Sequence, residues 1–202
     1  MTSKPSRKEA THDRILETAA RAIRRAGYDG VGVAEVMKEA GLTHGGFYAH
    51  FESREALLAE AMTRARKDSA AAMSQRVAAR QARGASALRA LVECYLSEAH
   101  LAAMETGCPV AALGSEMARQ PPLVREAACD GVRGMLGLVR QALPAGTDPD
   151  LAMVIASTLV GTLQLARSLG NNKQGKALLA ASRKALIAQY DQAPAGAADE
   201  SH

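Results

Sequence analysis

The chain has 202 residues, 48% of them hydrophobic and only 3% aromatic, with no tryptophan and a formal net charge of +4. That length holds one or two domains with a substantial buried core. The abundance of Ala, Leu, Arg and Glu without alternating β-branched runs predicts an all-α fold, which excludes phosphate loops that follow a strand. The charge is unevenly placed: residues 1–83 carry 15 Lys and Arg against 10 Asp and Glu, whereas residues 84–202 carry 10 against 11. A basic N-terminal portion on a near-neutral remainder fits a nucleic-acid-binding domain joined to a non-binding one, although many solvated helices carry similar charge.

Met1 to Lys8 has no apolar segment and reads as neither a signal peptide nor a membrane anchor. It is expected to be a mobile arm whose Lys4, Arg7 and Lys8 could lie along a nucleic-acid backbone; a solvated tail explains it equally well. From Glu9 the spacing of Ile15, Leu16, Ala19, Ile23 and Ala26 predicts a helix that stops at Gly27, with Arg14, Arg21, Arg24 and Arg25 off its apolar side. Val33, Val36, Met37 and Ala40 then share a helix face, and Gly41 stands where a left-handed cap would end it. After a turn, Thr43 can cap a second helix through its hydroxyl, with Leu42, Phe47 and Phe51 holding it to the first. Thr43, His44, Gly45, Gly46 and Tyr48 are left on the outside. Two glycines in a helical first turn cost roughly 1 kcal/mol each relative to alanine. They suit close approach of backbone N–H groups to a phosphate or a groove floor, with a loose loop as the plain alternative.

Gly27-Tyr28, Val33-Ala34-Glu35-Val36, Ala40-Gly41-Leu42-Thr43, Gly45-Gly46-Phe47-Tyr48, His50-Phe51 and Ser53-Arg54-Glu55 with Leu57 together resemble the DNA-binding motif of the TetR (tetracycline repressor) family of bacterial transcription regulators. One departure is Gly32, where the family has Ser or Thr capping the first helix of the motif. The resemblance covers about the first quarter of the chain. It implies a helix-turn-helix domain over residues 1–55 and a helical effector-binding and dimerisation domain over residues 56–191, the boundary falling inside a continuous helix; the Ala/Gly/Pro-rich tail at 192–202 is expected from its composition to be disordered. It also implies a double-stranded operator as partner, a homodimer and a small-molecule effector; the methionines and Cys108 suggest an effector of apolar or electrophilic character, and the cysteine pattern fits a reducing cytoplasm. By resemblance Tyr48 and His50 are assigned to phosphates, with Gly45, Gly46 and Arg54 in the same DNA-binding set. Thr43 and His44 are the side chains best placed to reach base edges.

Beyond the motif, a helix from near Ser53 keeps its spacing to about Gln81 before Gly84 interrupts it. Further helices are expected over residues 88–99, 109–119, 124–143 and 173–190. Pro149–Leu169 is apolar nearly all round, yet Ser157, Thr158, Thr162, Gln164 and Arg167 interrupt it, so it reads as buried in protein and not as a membrane span. Met104, Cys108, Leu113, Met117, Met135, Leu138, Met153 and Leu163 could line an adaptable apolar pocket, or could simply be core. Ala156, Val160, Gly161, Leu179, Ser182 and Leu186 suit close packing with a twin, and the resemblance puts the dimer interface on those last two helices.

Three cysteines without CxxC spacing indicate neither a disulfide framework nor zinc. His100 with Glu98 and Glu105 is the one grouping to weigh as a metal site, and an exposed helix face explains it better; no cofactor is indicated. Cys108 stands just before a proline-initiated helix, a position that favours a reactive thiolate unless the thiol is buried. No catalytic constellation stands at a recognisable spacing, so the chain is read as a regulator and not an enzyme. A helical enzyme or partner module with a vestigial motif is the alternative.

Overall fold

In the computed structural model the described residues are 6–191; Lys4 and the tail 192–202 lie outside them. Every regular element among the described residues is helical. Helix α1 spans Arg7–Ala26 and opens with a capping box, in which Ser6 Oγ accepts from Glu9 N at 3.2 Å and the Glu9 carboxylate accepts from Ser6 N at 2.7 Å. Those bonds from Ser6 hold the Glu9 carboxyl below its ordinary value. Arg7 and Lys8, expected in a mobile arm, therefore lie in the first turn of a helix. The Ser-x-x-Glu signature that sets this start is present in the sequence two residues upstream of where periodicity placed it.

Helix α2 is Val33–Glu39, and it ends as expected: Gly41 has φ +70°, Gly41 N donates to Lys38 O and Leu42 N donates to Met37 O at 2.8 Å. This paired closure needs a residue that tolerates positive φ. The second helix of the motif differs from expectation. His44–Ala49 is a 3-10 helix, and the Thr43 hydroxyl makes no capping bond; instead Gly46 N donates to the Thr43 carbonyl at 3.1 Å. Adjacent glycines weaken α-helical propensity, and a tight three-residue turn satisfies the backbone over so short a segment.

Helix α3 (Arg54–Gln81) starts where Ser53 Oγ accepts from Ala56 N. The helix expected over residues 88–99 is two: α4 (Ala87–Tyr95) and α5 (Glu98–Ala102). The break has a local cause. His100 N and Leu101 N both donate to the Ser97 carbonyl, His100 N also reaches Ser97 Oγ, and the His100 Nδ1–H donates to Tyr95 O at 2.8 Å. His100 is consequently fully buried, edge-on to the Tyr95 ring, and burial pushes its imidazole down to about 4. It does not sit on the exposed face expected of it, and no grouping of three or more potential metal ligands occurs among the described residues. The remaining helices are α6 (Pro109–Met117), α7 (Pro122–Ala142), α8 (Pro149–Leu169) and α9 (Lys173–Tyr190).

The chain forms two compact units, one built from residues up to Ala72 with Ala103–Met135, the other from Met73–Ala102 with Leu136 onward. In the first, Ile15, Ile23, Tyr28, Met37, Phe47, Leu57, Leu58, Met62 and Leu113 form the core. Arg24, expected off the apolar side of α1, is buried there too, donating to the carbonyls of Ala65 at 3.2 Å and Gly107 at 3.4 Å. In the second, Leu91, Tyr95, Leu96, Ile155, Leu159, Leu163 and Leu179 are buried. There α8 and α9 pack closely because Gly175 brings its Cα against the Gly170 carbonyl, where a Cβ would lie only 2.2 Å from the oxygen. Helix α8 is long and apolar enough by composition to cross a membrane, but one face lies in the core of this unit while Met153, Val154, Leu165 and Leu169 remain exposed. It is thus buried along one face and not all round.

Candidate nucleic-acid interface

The 3-10 helix is anchored from below and bare above. Phe47 and Phe51 are buried and stacked at 5.6 Å, and Phe47 meets Tyr48 edge-on at 5.2 Å. Above them Thr43, His44 and Gly45 are exposed, Gly46 is half-buried, and Tyr48 is 74% exposed. A Cβ built on Gly45 would meet nothing within 4 Å, and one on Gly46 would only touch Met37 Cε at 3.7 Å. Neither glycine has a positive φ. The chain's own packing and backbone therefore do not demand glycine at 45.

His50 caps the 3-10 helix, half-buried, with His12 of α1 beside it. Burial and the neighbouring His12 and Lys8 push the His50 imidazole below its ordinary value. Arg54, expected to contact DNA, is engaged by the chain's own turn: its Nη2 donates to Tyr28 O at 2.5 Å and its Nε to Val31 O at 3.2 Å. On the far side of the same turn Glu116 accepts from Tyr28 N at 2.9 Å. Gly27, at φ +76°, has no side chain to obstruct that carboxylate. Burial and the Glu116 charge push the Tyr28 phenol up. The turn that leads into the motif is thus held by a cation on its carbonyls and an anion on its amide. The two side chains responsible are separated in sequence from what they hold by 26 and 88 residues, and periodicity carries no signal for either.

Two family descriptions match the chain: bacterial regulatory proteins of the tetR family over residues 15–61, and a tetracyclin repressor-like C-terminal domain over residues 84–182. The chain belongs to the TetR family. This TetR-family regulator is 28% identical over 170 residues to an uncharacterized HTH-type transcriptional regulator of Mycobacterium tuberculosis, covering 79% of this chain and 85% of that one. It is also 28% identical over 142 residues to the HTH-type transcriptional repressor NemR of Escherichia coli, covering 68% and 69%. Its fold is that of the reduced form of E. coli NemR (TM-score 0.68, 22% identity, 87% and 96% covered). The same fold is seen in a TetR regulator from Chloroflexus aurantiacus (TM-score 0.72, 22% identity, 91% and 96% covered).

The apolar residues singled out for an effector pocket of this TetR-family regulator are divided between the two units. Met104, Cys108, Leu113, Met117 and Met135 fall in the first unit and Leu138, Met153 and Leu163 in the second; Met104 and Met153 are exposed. Leu138 lines a cavity of about 220 Å³ with Ser74, Val77, Leu91 and Gln141. Ala156, Leu179 and Leu186, expected to face a twin, are buried by the protomer's own helices, while Val160, Gly161 and Ser182 are half-buried.

The cysteines also sort by burial. Cys108 does cap the N-terminus of α6, but its side chain makes no capping bond, and both it and Cys94 are buried, whereas Cys129 is partly exposed. Access decides the rate when a reagent must reach sulfur. On titration of the native protein with a thiol reagent at pH 7, Cys129 is expected to react first, and Cys129→Ser to remove the fast phase. A fast phase that survives in Cys129→Ser and disappears in Cys108→Ser would show that the α6 terminus opens.

Proposed function

We propose that this regulator is a homodimeric repressor that presents residues 43–48 to the major groove and leaves its operator when a small molecule binds the helical domain. The observation that carries this reading is Gly45: exposed, with an ordinary backbone and empty space where a side chain would go. Glycine there is unfavourable for the free chain, and a surface pressed against the motif from outside supplies the reason for it. Gly45→Val is therefore expected to leave folding intact and to abolish a gel shift on the DNA flanking the gene. A variant that binds as the parent does would overturn the reading.

Tyr48 and His50 are read as phosphate contacts, with Lys8, Arg7 and Lys4 as further positive charge, and Thr43 and His44 as readers of base edges. These roles separate by salt and sequence. Tyr48→Phe with His50→Ala is expected to weaken binding to every duplex and to lower the salt slope by about one for each phosphate no longer engaged. Thr43→Ala or His44→Ala is expected to change sequence preference, by about 1 to 3 kcal/mol for each base edge well read. An unchanged salt slope in the double variant would count against the phosphate reading.

The twin is expected to meet the uncovered face of α8, where Val154, Thr158, Gly161, Leu165 and Leu169 follow one another at helical spacing, Gly161 half-buried and the others exposed. Two recognition segments must then enter successive major grooves about 34 Å apart. An effector that prefers a conformation with another separation weakens operator binding by the same coupling free energy with which DNA weakens its own binding. The cavity beside Leu138, with apolar walls and two amides at Gln81 and Gln141, suits a small apolar guest with one polar group.

A further inference from the structure

His50 does not stand alone. The His12 ring lies 6.2 Å from it, centroid to centroid, and stacks on Phe51 at 4.6 Å. Glu60 of α3 accepts from His12 Nε2 at 3.0 Å; an ionised carboxylate only accepts, so the bond keeps a hydrogen on that nitrogen. His50 is constrained as well. Its Nδ1 is covered and has no hydrogen-bond partner among the described residues, while the residue as a whole keeps part of its surface in solvent. A neutral ring avoids a buried N–H without an acceptor by carrying its hydrogen on Nε2, the nitrogen left to meet a phosphate.

Among the described residues, Lys8 and His12 of α1 both oppose a second positive charge on this ring; Glu60 of α3 is engaged by His12, and α2 faces the 3-10 helix with the uncharged Met37. Burial is the larger opposition, and together with these charges it holds the His50 imidazole below its ordinary value. A phosphate at Nε2 reverses the balance. It brings a formal negative charge within hydrogen-bonding distance, which favours the imidazolium and opposes the cost of a hydrogen on the covered Nδ1.

We infer that binding of a DNA phosphate at His50 takes up a proton onto that ring, and that His12, held by Glu60 and Phe51, is the positioning residue that sets the pH range of this coupling. The inference rests on the reading of His50 as a phosphate contact. Because the complex raises the affinity of the ring for a proton, the added DNA affinity is fully present below the free-chain pKa. It is lost as pH rises through the higher value of the complex. DNA binding of this regulator thus tightens in mild acid.

The test uses the full chain and a mixed-sequence duplex of about 30 base pairs, since phosphate contacts do not depend on sequence. Binding is followed by fluorescence anisotropy at fixed low salt from about pH 5.5 to 8.5. The parent is expected to weaken as pH rises, by up to about tenfold per pH unit at the steepest point for one proton. His50→Gln should bind more weakly with that component of the slope gone. His12→Asn removes a group that opposes the imidazolium and should move the curve to higher pH. Glu60→Gln keeps an acceptor for His12 but removes the negative charge, and should move the curve to lower pH. A structural role for His12 would weaken binding alike at every pH without moving the midpoint in either variant, and that result overturns its assignment. A flat parent curve with His50→Gln still weakened overturns the proton coupling and leaves the phosphate contact standing. His50→Gln binding as the parent does at every pH overturns the phosphate contact itself.

Discussion

Arg54→Ala is expected to lower the stability of the protein by about 3 kcal/mol, because two carbonyls of the turn between α1 and α2 lose a charged donor and each such bond is worth about 1.5 to 3 kcal/mol. For a chain of this size that is a fall in melting temperature of about 10 °C. DNA binding should weaken along with it, since the turn from Tyr28 to Val31 leads directly into the motif. The salt slope separates this role from a direct one. If Arg54 holds the turn through Tyr28 O and Val31 O, affinity falls while the slope stays as it was. If instead Arg54 met a phosphate directly, the substitution would lower the slope by about one with the stability unchanged. Arg54→Lys should recover little, because an ammonium is a single point donor and cannot bridge two carbonyls as a planar guanidinium does.

Gly161→Glu and Leu165→Glu should each convert the protein to monomers and cost about a thousandfold in affinity for the operator, toward the level of non-specific binding. Gly161 is the informative position. A Cβ there would meet nothing within 4 Å in the protomer, so a side chain can start at 161 without a clash. Leu165, 60% exposed, is a second such position. Leu186 would make a poor test. It is 5% exposed, and a charge there would unfold the protomer before any question about a partner could be asked. Sedimentation velocity on the two α8 variants, with the melting curve as control, decides the matter. Folded dimers in both would move the interface off α8.

The sequence by itself determined the all-helical class, most of the helix bounds and the family, but not the 3-10 form of His44–Ala49 or the break at Ser97. Asp148-Pro149 and Asn172 open α8 and α9, Gly41 closes α2 at positive φ, and the run from Gly27 to Leu57 identifies the helix-turn-helix. All of these are signals that act within about four residues of where they stand. The capping box of Ser6 and Glu9 was equally local and equally readable, although periodicity alone missed it. What only the tertiary structure decided is which distant group each face and each charge meets. Periodicity marks an apolar face without saying whether it turns to the chain's own helix or to a twin; Leu179 and Leu186 turned inward, while Leu165 stayed exposed. It sends cations to solvent by default, yet Arg24 is drawn in by the carbonyls of Ala65 and Gly107, and Arg54 by those of Tyr28 and Val31. His100 was hidden for the same reason, its burial following from a helix break at Ser97 and a carbonyl five residues away. Backbone carbonyls and amides are the same at every residue, so a sequence cannot mark which of them will need a partner. That need arises only where the fold leaves a turn or a helix end away from water.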